Sequence, residues 1–147
     1  MKRRHILASL VAIFGGPNAA AAADEALHPP ADAEARLDAL LQQPKFLAEP
    51  GGLYAWVHGE AGRAGAEATI NRAIRDILGQ LPKGLRRRWV LRRFKAALDQ
   101  LALSDTEDRE RVAEYFQDIM GCIGLESSDG LLNKYVYGFD IGALPTK

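Results

Sequence analysis

The chain holds one cysteine, three histidines, two methionines and no net charge at neutral pH in 147 residues. Each scarcity excludes something. A lone Cys122 cannot form an internal disulfide. Its neighbours Ile119, Met120 and Ile123 mark it instead as a small buried apolar residue. His5, His28 and His58 give no H-x-x-x-H or comparable ligand spacing, which argues against a zinc site. Equal numbers of acidic and basic residues, 19 of each, argue against a general nucleic-acid binder. The apolar run Ile6–Phe14 spans nine residues, well short of the roughly 20 that cross a bilayer. There is no internal repeat, and no nucleophile-elbow motif.

What is present begins with an export signal. Lys2, Arg3, Arg4 and His5 form a charged start, Ile6–Phe14 a short apolar stretch, and Ala21-Ala22-Ala23 a small-residue cleavage site before Asp24-Glu25. Residues 1–23 therefore read as a cleavable signal peptide, and the working protein is expected to be periplasmic or secreted. Arg3-Arg4 resembles a twin-arginine signal in part; the ordinary unfolded-export route is favoured. Cleavage removes three basic residues and no acidic ones, leaving 124 residues with a net charge of −3. That length is one domain, large enough for a core without disulfides or metal.

Residues 24–31, with Pro29-Pro30, read as a flexible leader, and 32–147 as a single helical domain. Asp32 caps a first helix carrying Leu37, Leu40 and Leu41, and Pro44 ends it. Residues 48–65 are irregular: Pro50-Gly51-Gly52 signals a turn, and Leu53, Tyr54, Trp56 and Val57 suit either a short strand or a packed loop near 50–60. Gly59, Gly62 and Gly65 read as a connector; they lack the lysine of a phosphate cradle. A second helix follows from the stripe Ala66, Ile70, Ala73, Ile74, Ile77, Leu78 and Leu81, with Arg72, Arg75 and Asp76 opposite. A third runs from about Leu85 to Leu101. A fourth starts at a capping box, Ser104 with Glu107, and stops at Gly124-Leu125. Ser127 or Ser128 caps a short fifth helix ending at Gly138. The fold class is mainly α: a compact antiparallel, bundle-like domain of four to five helices.

Candidate chemistry is thin. Arg86, Arg87, Arg88, Arg92, Arg93 and Lys95 crowd one helix around Trp89 and Phe94, which suits an anion-binding face for an acidic protein or, less well, a membrane surface. The competing explanation is a solvated face paired with the acids of the fourth helix, such as Asp105, Glu107, Glu110 and Glu114, and this is the favoured one. Glu107, Glu110 and Glu114 share a helix face, but paired carboxylates do acid–base work only where one is buried. His58 suits a general base, oriented by Glu60 and served by Ser127 or Ser128 as nucleophile, a hydrolase reading that no motif supports. Ser127, Ser128 and Asp129 with Tyr135, Tyr137, Phe139 and Trp56 are the alternative ligand site, polar groups beside an aromatic wall.

The run Asp105–Arg109, Tyr115-Phe116, Ile119-Met120, Ile123–Asn133 and Tyr137–Asp140 resembles a small bacterial family defined only as a domain of unknown function, and Pro44-Lys45-Phe46 and Gly52-Leu53-Tyr54 are similar to its N-terminal part. The resemblance implies a small helical domain and brings no activity, cofactor or catalytic residue. The sequence therefore predicts an exported binding module without cofactor or metal, more non-enzymatic than enzymatic, that contacts another protein. An immunity-type inhibitor of a toxin delivered to the periplasm is one concrete form.

Overall fold

A computed structural model describes residues 24–139; the expected signal segment 1–23 lies outside the described residues, as do 140–147. Five α-helices form there: α1 Ala33–Gln42, α2 Gly59–Gln80, α3 Arg87–Gln100, α4 Thr106–Ile123 and α5 Leu131–Tyr137. A 3-10 turn, Leu81–Lys83, carries Pro82 and joins α2 to α3. The mainly α architecture expected from the periodicity is the one observed.

The helices close a ring. α1 packs on α2 and α4, α2 on α3, α3 on α5, and α5 on α4. α2 and α3 border a shared groove lined by Thr69, Arg72, Asp76, Arg93 and Gln100, and Arg72 of α2 reaches Gln100 at the end of α3. Each helix turns its apolar stripe inward, so Leu37, Ile70, Ile74, Ile77, Val90, Phe94, Phe116 and Ile119 are fully buried together. Phe94 of α3 and Phe116 of α4 meet edge to face across the interior, ring centroids 4.8 Å apart. Cys122 is buried among them, and burial pushes its thiol ionisation up.

Several boundaries differ from the sequence reading, each for a tertiary reason. Gly59, Gly62 and Gly65 are not a connector but the first turns of α2. Packing overrides their poor helix propensity: a Cβ on Gly62 would lie 3.5 Å from both Trp56 and His58. Glu60, Arg63 and Glu67 add ion pairs at three- and four-residue spacing. Residues 43–58 contain no strand; they form a loop whose tip turns through Gly51 and Gly52, both at positive φ.

The leader is not loose. Leu27 N–H donates to Leu85 O at 2.9 Å and Arg87 N–H to Glu25 O at 2.8 Å, an isolated bridge beside Ala26 and Arg86. Leu85 therefore lies before α3, buried in an extended stretch, rather than inside the helix. Asp105, not Ser104, caps α4: its side chain accepts from Glu107 N–H at 2.8 Å. Gly124 closes α4 at φ 70°, with Leu125 N–H returning to Met120 O, as its sequence signal predicted. Ser128 does serve the start of α5, its Oγ accepting from Leu132 N–H at 3.4 Å, although Gly130 holds the cap position.

Gly65 sits inside α2 with ordinary helical backbone and nothing within 4 Å of a Cβ built on it. Gly65→Ala is expected to raise unfolding free energy by about 0.5–1 kcal/mol, because alanine loses less backbone entropy on folding. Denaturant unfolding of the two proteins checks it.

Candidate functional site

Two regions carry chemistry. The first is a buried carboxylate. Asp108 stands in the first turn of α4, four residues before Val112, and so falls on the helix's inward stripe. Its side chain is 3% exposed. Both oxygens are engaged: Tyr54 O–H donates to Oδ1 at 2.7 Å, and His58 Nε2 lies 2.8 Å from Oδ2. Burial first, and then the hydrogen bond given to Asp108, push Tyr54 ionisation well above the ordinary tyrosine value. Tyr54 is thus a neutral donor at physiological pH, and the carboxylate is its acceptor.

Around this centre the 43–58 loop is pinned to the helices. Arg111 lies over the Tyr54 ring, 4.6 Å from its centroid, and pairs with Glu49 of the loop and Glu114 of its own helix. Phe46, at φ 58°, buries its ring between Trp56 and Tyr115, and its N–H donates to Tyr115 O–H at 2.7 Å. Trp56 meets His58 edge to face at 4.9 Å and donates to Gly59 O. Lys45 is 2% exposed; its Nζ donates to Leu40 O and Gln43 O, satisfying carbonyls at the end of α1. Burial pulls its ammonium below the ordinary lysine value, and Glu67 opposes that pull.

This geometry removes the hydrolase arrangement. His58 is bound by Asp108 at the start of α4, whereas Ser127 and Ser128 follow its far end, about 20 Å away at 1.5 Å per residue. Glu60 does not orient His58; it pairs with Arg63. Glu107, Glu110 and Glu114 are all exposed, which withdraws the condition for paired-carboxylate catalysis. The expected aromatic wall does not assemble either. Trp56 belongs to the Phe46 cluster, while Tyr135 O–H donates to Leu101 O at 2.6 Å and Tyr137 is half exposed beside Phe139. Among the described residues, no group of three or more His, Cys, Asp and Glu is arranged to hold a metal ion.

The second region is the basic helix, and its residues divide. Arg87 is structural: its guanidinium pairs with Asp129 and donates to Ser127 O, clasping the α4–α5 connection to the start of α3. Asp129, at φ 54°, and Ser127 are spent in that clasp, with Ser127 Oγ accepting from Asp129 N–H. Arg86 donates to Asp24 O, and Lys95 pairs with Asp99 one turn on. Arg88 and Arg92 are exposed on the outermost side of α3, and Arg93 stacks on Trp89 at 5.2 Å. Among the described residues, none of these last three forms an ion pair, and the pairing expected with the acids of α4 does not occur. α4 packs chiefly on α1 and α5.

Between α2 and α3 lies a groove of about 110 Å³, rimmed by Arg72, Asp76, Arg93 and Gln100 over a floor of alanines. Arg72 reaches Gln100 Oε1 only at 3.4 Å. Arg72 stood outside the sequence-based candidates, as did Asp108 and Tyr54. Asp108 had a legible signal, an acid in register with Val112, Phe116 and Ile119. Arg72 had none, because its groove is made by a helix distant in sequence.

The family described as Domain of unknown function (DUF4844) matches residues 28–140. The crystal structure of a DUF3571 family protein from Acinetobacter baumannii AYE is similar at 30% identity and a TM-score of 0.63, covering 75% of this chain and 92% of that one. No curated protein matches the chain.

Asp108→Ala is expected to destabilise the fold by about 3 kcal/mol, since it strands the buried Tyr54 hydroxyl and opens a cavity at the start of α4. Tyr54→Phe should cost less, about 1.5 kcal/mol, with both read by denaturant unfolding. Burial lifts Tyr135 ionisation to about 12. A phenol whose folded value exceeds its unfolded value of about 10 stabilises the fold fully below pH 10 and loses that contribution as pH rises towards 12. Stability should therefore fall over that window, and Tyr135→Phe should flatten the fall.

Proposed function

The chain belongs to the family defined as Domain of unknown function DUF4844, whose name assigns no chemistry, and from its own residues we propose a non-enzymatic binding module, exported to the periplasm, that contacts an acidic surface of another protein through the outer side of α3. One observation carries this reading. Arg88, Arg92 and Arg93 stand together without a carboxylate partner among the described residues, in a chain where Arg63, Arg87 and Arg111 each have one. A merely solvated face paired with α4 would have left them neutralised. Trp89 beneath Arg93 adds an aromatic–guanidinium pair, the residue types that dominate binding energy at protein interfaces.

The choice of a protein over other anions follows from composition and surface. Lipid-inserting faces combine cations with exposed apolar side chains. None of the large exposed apolar residues, Leu47, Leu53, Val57, Tyr137 and Phe139, belongs to α3. A nucleic-acid binder neutralises many phosphates with an excess of cations, and this chain has none to spare. The immunity-type inhibitor remains one form of the proposal, supported by size and expected compartment alone.

Affinity capture of the C-terminally tagged protein from its native envelope tests the reading. The wild type should begin at Asp24 by intact mass and retain one near-stoichiometric protein, with retention falling as salt rises. Arg88→Glu with Arg92→Glu should lower retention by at least about tenfold, without changing the circular dichroism spectrum. Arg87 is left alone, because it holds the fold. Undiminished capture by the folded double variant would sink the α3 face, and an uncleaved cytoplasmic chain would sink the compartment.

A further inference from the structure

We propose that the groove between α2 and α3 is the seat for a single carboxylate side chain of that protein partner, held between Arg72 and Arg93; this rests on the protein-binding reading of α3. Three features of the groove converge. Its volume, about 110 Å³, accommodates one side chain and not a folded element. Arg72 and Arg93 rim it from two different helices, and neither has an ion-pair partner among the described residues, so both guanidiniums have donors to offer. Planar guanidiniums match a carboxylate two bonds at a time.

The third feature sets the class of anion. Asp76 lines the same groove, and it too has no ion-pair partner among the described residues. A fixed carboxylate there repels a dianion such as phosphate more than it repels a singly charged side chain. It also offers an acceptor to a cation on the partner. The groove thus fits an acidic residue with a lysine or arginine near it on the partner. Gln100, reached by Arg72 at 3.4 Å, orients that arginine across the groove.

The probe is the blocked peptide Ac-(Glu-Ala-Ala-Ala-Lys)3-NH2, which places Glu and Lys four residues apart on a mostly helical chain. It is titrated into the 15N-labelled mature protein and followed by 1H–15N correlation spectra. Saturable shifts should concentrate at Thr69, Arg72, Arg93 and Gln100. They should weaken at least about tenfold for the peptide with Gln in place of Glu, and likewise in Arg72→Gln with Arg93→Gln. Ala96→Leu fills the groove without altering charge, so it should abolish the shifts even if the double variant folds poorly. Arg36→Gln on α1 should leave them in place. Shifts centred on Arg88 and Arg92 and removed by Arg88→Glu with Arg92→Glu would overturn the groove while leaving the protein-binding face standing. Equal shifts from inorganic phosphate would overturn the carboxylate assignment. Absence of any saturable shift would overturn the seat outright.

Discussion

A carboxylate taken out of water must be paired, and Asp108 is the point at which this fold meets that demand. It needs two donors, and neither comes from its own helix. Tyr54 and His58 bring them from the end of the 43–58 loop, four residues apart. Placing Asp108 correctly therefore places the loop, the start of α2 and the Phe46–Trp56–Tyr115 cluster as well. Within the loop only the tip is held by backbone hydrogen bonds of its own, Glu49 N–H to Tyr54 O and Gly52 N–H to Glu49 O. The geometry of the rest is dictated by what Asp108 requires.

The arginines of the chain divide into two populations by what they touch. Arg63, Arg87, Arg109 and Arg111 each join segments distant in sequence. Arg109, for example, donates to Val136 O and Leu103 O, fixing the end of α5 beside the approach to α4. These side chains act as cross-braces and are saturated. Arg72, Arg88, Arg92 and Arg93 of α2 and α3 form no ion pair among the described residues, and neither do Arg36 on α1 and Arg75 on α2. The positive face arises from position rather than from number, in a chain with no excess of cations.

That division explains what could be read from the sequence. The inward stripes of α1 and α2 were legible, since period and burial are local statements. The stop at Gly124 was legible for the same reason. The start of α2 was hidden, because glycines at 59, 62 and 65 speak against a helix, and the packing of Trp56 and His58 against Gly62 is a tertiary contact. The pinned leader was hidden too: proline-rich residues near 29 and 30 give no hint that Leu27 will pair with Leu85. For the candidate site, Arg88, Arg92 and Arg93 were visible as charges, but their lack of partners was a tertiary fact. The local expectation, that acids adjoining in sequence would neutralise them, failed because α4 packs chiefly on α1 and α5 rather than alongside α3.

The glycine content of the beginning of α2 has a kinetic consequence. Its first two turns hold Gly59, Gly62 and Gly65, so they have little tendency to stay helical once released from Trp56, His58 and Arg63. Loop and helix start are then a single cooperative unit, opening and closing together while the ring of longer helices stays shut. Amide hydrogens from about 44 to 65 would share one opening free energy, below that of Ile70, Ile74 and Ile77 further along the same helix. α2 is continuous as a shape and divided as a thermodynamic object, with the seam where the glycines end.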